Sequence, residues 1–244
     1  MSSIFSTPDQ LARIGLILSR YIRLPVSTDT IPGAFLESVL AHVRGGRVLP
    51  TYDYIDVHQA SERVGWSIKS TRSVTPVTWK RAKIANKEAL IQASFQSATA
   101  VQALGDEIME FCNVHARASL RDYNLNEIGY ARLIVFPAGE VLYFERQLCS
   151  LAQPNIFDPT DFEWRWSVQK VTSTKEQLRA LHGIHKATGK KWWAWHGLGE
   201  NQLHFSGEGA WWPAKNDPHA VTFRFPTEGE KLSFDRLVDL LEAV

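Results

Sequence analysis

Cysteine is almost missing from this chain. Cys112 and Cys149 are the only two, and neither belongs to a CxxC or Cys/His spacing. That excludes a disulfide framework and a cysteine zinc site, and it predicts two free thiols in a reducing compartment. Long apolar runs are missing as well. No stretch reaches the roughly 18 residues of a membrane-spanning helix, and no signal-peptide pattern opens the chain. The expectation is a soluble, cytoplasmic protein without a membrane partner. Charge of one sign is also lacking: 27 Lys and Arg balance 26 Asp and Glu. A nucleic-acid ligand would therefore have to be held by a local basic strip rather than by the whole molecule.

What is present suits one sizeable core. Of 244 residues, 44% are apolar and 22% charged, an ordinary globular balance for a single domain. Thr7-Pro8-Asp9 opens an amphipathic helix running to about Leu24, with Pro tolerated in the first turn. Gly33 to Val43 repeats the pattern, its stripe formed by Phe35, Leu36, Val39, Leu40 and Val43, and Gly45-Gly46 ends it. Thr51 to His58 and Val64 to Thr71 read as strands. A long helix is expected over Lys87 to Leu120, with a break near Gly105. Tyr130 to Pro137 and Glu140 to Leu148 read as a hairpin. Phe162 to Val171 predicts a further strand and Ser173 to Thr188 a helix. Leu203 to Phe205 and Val221 to Phe225 predict short strands, and Phe234 to Ala243 a closing helix whose apolar side is Leu232, Phe234, Leu237, Leu240 and Leu241.

The chemistry concentrates in Asp53-Tyr54-Ile55-Asp56-Val57 and, after a short gap, Gly65-Trp66-Ser67-Ile68-Lys69-Ser70. In an extended backbone Ser67 and Lys69 project to one face, because side chains alternate. Lysine is disfavoured among Val64, Trp66 and Ile68 unless it is paired or functional. Its ammonium would reach an attacking water or a phosphate, while a carboxylate on the neighbouring strand holds a divalent cation. Asp53 and Asp56 are three apart, so they face opposite ways. Asp53 is the first choice for metal and Asp56 the second; a strand-end turn role is open to either. Glu37 lies off the apolar stripe of its helix and can supply the second carboxylate, the alternative being a solvated surface position.

These strings resemble the PD-(D/E)xK nuclease superfamily. More narrowly they resemble type II restriction endonucleases in which the acidic residue of the ExK motif is replaced, here by Ser67. The match covers about residues 30 to 85. The resemblance implies an α/β (α+β) fold with a restriction-endonuclease-like core, a mixed central sheet flanked by helices. The catalytic core would span about 30–150 of a single nuclease domain covering 1–244. It implies Mg²⁺ held by Glu37, by Asp53 or Asp56 and by the backbone carbonyl of Ile68, with Ser67 and Lys69 completing the catalytic set. Because Ser67 is neutral, Glu37 would supply the missing negative charge. It further implies double-stranded DNA as substrate, a homodimer, and a cognate DNA methyltransferase in the same system.

Seven Lys and Arg and no acidic residue lie between Arg63 and Lys87. Arg72, Lys80, Arg81, Lys83 and Lys87 are placed to meet phosphates; a solvated loop is the competing reading. The part from 151 to 244 reads as β-rich and Trp-rich, serving recognition or dimerisation. Its tract Lys190-Lys191-Trp192-Trp193-Ala194-Trp195 favours core or dimer packing over stacking on bases. Asn201 and Gln202, with Arg165, Lys190 and Arg224, are candidates for base-edge contacts. His182, His185, His196 and His204 lack metal-ligand spacing. The competing functions are a structure-specific repair nuclease on the same fold and a non-catalytic nucleic-acid-binding module.

Overall fold

The computed structural model describes residues 4–28, 30–50, 54–72, 76–171, 176–226 and 230–243. The chain forms two compact units and passes between them four times: one holds 1–75, 119–151 and 213–244, the other 76–118 and 152–212. Because each unit is assembled from distant segments, no linker composition marks the division in the sequence. Among the described residues, no helix is long and apolar enough to cross a membrane.

The first unit is a mixed six-stranded sheet under two helices. Helix α1 (Pro8–Tyr21) begins at Thr7, whose hydroxyl accepts from the Gln10 N–H while the Gln10 side chain accepts from the Thr7 N–H. That reciprocal cap satisfies two donors the helix cannot. Helix α2 (Gly33–Arg44) stops at Gly45, which takes φ 66°, a left-handed conformation that glycine adopts without a Cβ penalty. The strands are β1 (Arg47–Val48), β2 (Val57–Gln59), β3 (Val64–Arg72), β5 (Glu127–Val135), β6 (Glu140–Ser150) and β13 (Ala220–Arg224), in the order β1-β2-β3-β5-β6-β13. Only β3 and β5 run parallel; the other pairs are antiparallel.

Leu11, Ile14 and Leu18 of α1 and Leu36, Val39 and Leu40 of α2 pack with Val64, Trp66 and Ile68 of β3 and with Leu133 and Tyr143. Trp66 is fully buried, and its indole N–H donates to the Ile4 carbonyl. Removing a side chain of that size typically costs about 3–5 kcal/mol. The opposite sheet face, with Ile128, Tyr130, Ile134 and Phe144, is buried too. A strand buried on both faces reads as a continuous apolar run; β5 is one.

Helix α5 (Phe234–Glu242) closes the chain where its pattern predicts. Its lead-in is tied to the loop after α1: the Leu232 N–H donates to the Arg23 carbonyl and Lys231 Nζ to the Ser27 carbonyl. Its apolar side is not core, however. Phe234 is 61% and Leu241 66% exposed.

The second unit carries the antiparallel sheet β4-β12-β11-β10-β7, made of β4 (Val77–Arg81), β7 (Phe162–Trp166), β10 (Leu181–His185), β11 (Lys190–Trp195) and β12 (Gln202–Phe205). A two-stranded ribbon of β8 (Lys170–Val171) and β9 (Glu176–Gln177) accompanies it. The helix expected over Ser173 to Thr188 is therefore replaced by β9 and β10. Leu181–His185 pairs with both tryptophan-bearing strands, and those pairings, distant in sequence, override the local helical count.

The long helix also departs from expectation. It divides into α3 (Lys87–Ser94) and α4 (Ala98–Asp122). The break falls at Phe95–Ser97 rather than at Gly105, with the Ser97 hydroxyl accepting from the Ala100 N–H. Gly105 stays helical because the Trp164 ring occupies the space where a Cβ would sit, 2.2 Å away. The tryptophan tract is core. Trp193 and Trp195 are fully buried, and Trp79, Phe157, Trp193 and Phe205 meet mainly edge-to-face at centroid distances of 4.6 to 5.7 Å, geometries that aromatic quadrupoles favour.

Candidate active site

The first unit brings Asp56 into contact with Lys69, within electrostatic reach of Glu37 and one strand step from Ser67. Val57 pairs with Trp66 in the β2–β3 register, and the Asp56 N–H donates to the Trp66 carbonyl at 2.7 Å. Continuing that antiparallel register sets Asp56 opposite Ser67, so its carboxylate shares the face of Ser67 and Lys69. Asp56 Oδ2 accepts from the Ile68 N–H at 2.5 Å and lies 3.4 Å from Lys69 Nζ. With β2 ended, this carboxylate takes the bond that a further β2 residue would have made.

Asp53, the first choice from the pattern, lies outside the described residues. Among those described, Asp56 is the carboxylate that meets Lys69. β2 covers Val57–Gln59, so Asp56 precedes that strand rather than lying within it. Asp56 sits at the strand's mouth, where a side chain can replace a ladder partner.

Glu37 reaches the same spot from α2. Burial pushes its carboxyl pKa up, the nearby Asp56 charge pushes it further, and Lys69 pulls it back. All three groups therefore share one electrostatic neighbourhood. The approach of α2 is fixed locally: Ser70 Oγ, on the β3 face turned away from Lys69, donates to the Ile31 carbonyl just before the helix at 2.6 Å. The Lys69 and Asp56 side chains retain 20% and 24% of their exposure, so water and a ligand can reach them. Ser67 is buried, at 4%.

The donor set fits a hard divalent cation. The Asp56 charge adds to the rise of the Glu37 pKa, and a cation held near both carboxylates would offset it. Ile68 addresses the β2 side of its strand through its N–H, and strand geometry sends its carbonyl the same way, toward the Asp56 carboxylate. Among the described residues there is no cluster of three or more His, Cys, Asp or Glu side chains. Two carboxylates, one carbonyl and a hydroxyl suit Mg²⁺, which binds oxygen and keeps several waters.

Pattern reading passed over Arg132. The parallel register pairs it with Lys69, so both point to one face of the sheet, and Arg132 is 1% exposed. It lies near Tyr130 on the same strand face, and burial drives the phenol pKa up to about 12 against an opposing pull from the Arg132 charge. The available signal was the one that singled out Lys69: a cation inside an apolar strand.

The proposed phosphate contacts are divided between the two units. Arg72 ends β3 in the first unit, whereas Lys80, Arg81, Lys83, Lys87, Asn201 and Gln202 belong to the second. There Arg81 pairs with Gln202 across β4 and β12, and Lys87 Nζ donates to Asn201 Oδ1 at 3.2 Å. Glu200 lies 3.8 Å from Arg81, and Glu88 lies 3.7 Å from Lys87. Lys83 is exposed, and Lys80 is half-buried, close to Cys112 and His115 of α4. Compared with known protein families, curated proteins and solved structures, the chain matches none.

Proposed function

We propose that this protein is a Mg²⁺-dependent type II restriction endonuclease that hydrolyses phosphodiester bonds in double-stranded DNA at a short specific sequence. The observation that carries the reading is the contact of Asp56 with Lys69 and the Ile68 N–H at the mouth of β2 and β3, with Glu37 close enough to feel both charges.

In this mechanism Glu37, Asp56 and the Ile68 carbonyl hold the cation. The ion, when bound, polarises the phosphoryl group and lowers the pKa of a coordinated water. Lys69, paired with Asp56, donates to the water or to a phosphate oxygen where negative charge grows in the transition state. The Ile68 N–H bond keeps Asp56 in one rotamer, so the carboxylate is aimed before substrate arrives. Ser67 adds a neutral oxygen, leaving Glu37 to provide the second negative charge.

A palindromic site would be cut by a two-fold homodimer, and a companion methyltransferase would protect the host's own DNA. Incubation of the purified protein with mixed bacteriophage DNA, with Mg²⁺ or with EDTA, tests the reading. Discrete fragments in Mg²⁺ alone are expected. A smear, or no cleavage over a range of DNAs, would overturn site-specific hydrolysis.

A further inference from the structure

The second unit carries a group of cations and imidazoles that the candidate active site does not use. Across its five-stranded sheet the registers align Arg165 with His182, His182 with Ala194, Ala194 with His204, and His204 with Thr78. The residues flanking this row, Leu181, Gly183, Trp193, Trp195, Leu203 and Phe205, are buried. Alternation therefore turns the row to the face opposite the tryptophan core. His196, two residues beyond Ala194, joins it with its ring 5.1 Å from that of His204. Arg165 and Lys191 are exposed, and the three imidazoles are half-exposed.

Basic groups outnumber acidic ones on this face: alternation along β7 sets Glu163 beside Arg165, while Lys191 and three imidazoles add to the basic side. Burial, first of all, and then the charges of Lys191, Arg165 and His196 together lower the pKa of His182 to about 4. Lys191 acts in the same direction on His196, and His196 on His204. Glu163, two residues before Arg165 on β7, is exposed. On β12, Gln202 donates to Glu200, which also faces Arg81 of β4, and His204 meets the Gln202 carbonyl at 3.2 Å. Cations packed beside imidazoles oppose a bound metal ion and favour an anion. From Arg165 to His204 there are three interstrand steps, about 14 Å at 4.7–4.9 Å each. That is roughly four nucleotides of one strand at 3.4 Å rise.

We propose that the sheet face bearing Arg165, His182, Lys191, His196 and His204 binds the phosphodiester backbone of nucleic acid. A line of cations and flat rings matches a strand of evenly spaced monoanions, with Arg165 and Lys191 as permanent charges. The bound phosphates favour protonation of the imidazoles, so binding takes up protons. The proposal goes beyond the hydrolysis assigned to Glu37, Asp56 and Lys69 and does not depend on it.

The test measures binding of a labelled 30-base-pair duplex to the full chain in EDTA, over a salt series at pH 5.5 and pH 8. Arg165→Ala/Lys191→Ala is expected to lower the slope of log K against log salt by about 1.8, at roughly 0.9 per phosphate contact. Both side chains are exposed, so an unchanged thermal midpoint is expected. The wild type is expected to bind more tightly at pH 5.5 than at pH 8, through each imidazole that the bound phosphates hold protonated at the lower pH. His182→Gln/His196→Gln/His204→Gln should lose that difference, and imidazole resonances followed by NMR should titrate higher with duplex present. An unchanged slope in the double variant would overturn the proposal, as would equal affinity for poly-glutamate of matched charge. Cleavage in Mg²⁺, scored separately, reports on the other site. No wild-type cleavage, with a slope that falls in the double variant, sinks that site alone; wild-type cleavage with an unchanged slope in the double variant sinks this face alone.

Discussion

Glu37→Gln is expected to make the protein more stable and inactive at once. Burial and the Asp56 charge both raise the Glu37 pKa, against a smaller opposing pull from Lys69. The folded state then holds this proton more tightly than the unfolded chain does. Stability is accordingly highest below the ordinary carboxyl pKa and falls as pH rises through the raised folded value, so at neutral pH the penalty is fully present. Glutamine keeps the shape and removes the charge. Relief of one unfavourable charge commonly yields about 0.5–1 kcal/mol, and partial exposure favours the lower end. For a chain of this size, 1 kcal/mol corresponds to about 2–4 °C in Tm. Urea unfolding without metal at pH 7.5 and 4.5 measures it, with the gain present at pH 7.5 and shrinking at pH 4.5. Mg²⁺ at ten times its Kd should stabilise the wild type by about 1.4 kcal/mol and the variant by less. A Glu37→Gln protein less stable than wild type at pH 7.5 would refute the reasoning, because Glu37 would then be making favourable contacts.

Asp56→Ala leaves the Ile68 N–H without its acceptor and Lys69 without its counter-charge. A loss of about 2 kcal/mol in chemical unfolding is expected, together with loss of cleavage; full activity would remove Asp56 from the site. Gly105→Ala drives a methyl into the Trp164 ring, and overpacking of that kind costs about 1–3 kcal/mol, read as a lower Tm; an unchanged Tm would mean the ring relocates freely. Cys112 and Cys149 are buried, and burial raises both thiol pKa values, that of Cys149 to about 12. Ellman's reagent at pH 8 should therefore find no reactive thiol in the native protein and two after denaturation.

Much of the local structure was legible because one physical cause dominated each segment. Thr7-Pro8 and Gly45 specify helix ends by hydrogen-bond capping and by φ, and α1 and α2 appear within a few residues of the expected limits. Lys69 was legible because a charge within a buried strand needs a partner, and Asp56 is one. Three features were not legible. Which aspartate meets Lys69 depends on where β2 starts, and periodicity fixes strand ends poorly. The segment around His182 follows a helical count locally, yet its neighbours Trp164 and Trp193 settle it as a strand through pairings distant in sequence. The division into two units is set by contacts among segments far apart in the chain, which composition does not record. The outward apolar side of α5 was hidden for the same reason: amphipathicity reports a face, not what covers it.

The most direct test of the account compares wild type with Lys69→Ala on the same bacteriophage DNA, in Mg²⁺, alongside duplex binding in EDTA. The account predicts discrete fragments for the wild type, none for Lys69→Ala, and equal duplex affinity for both. Cleavage by Lys69→Ala at the wild-type rate would contradict it.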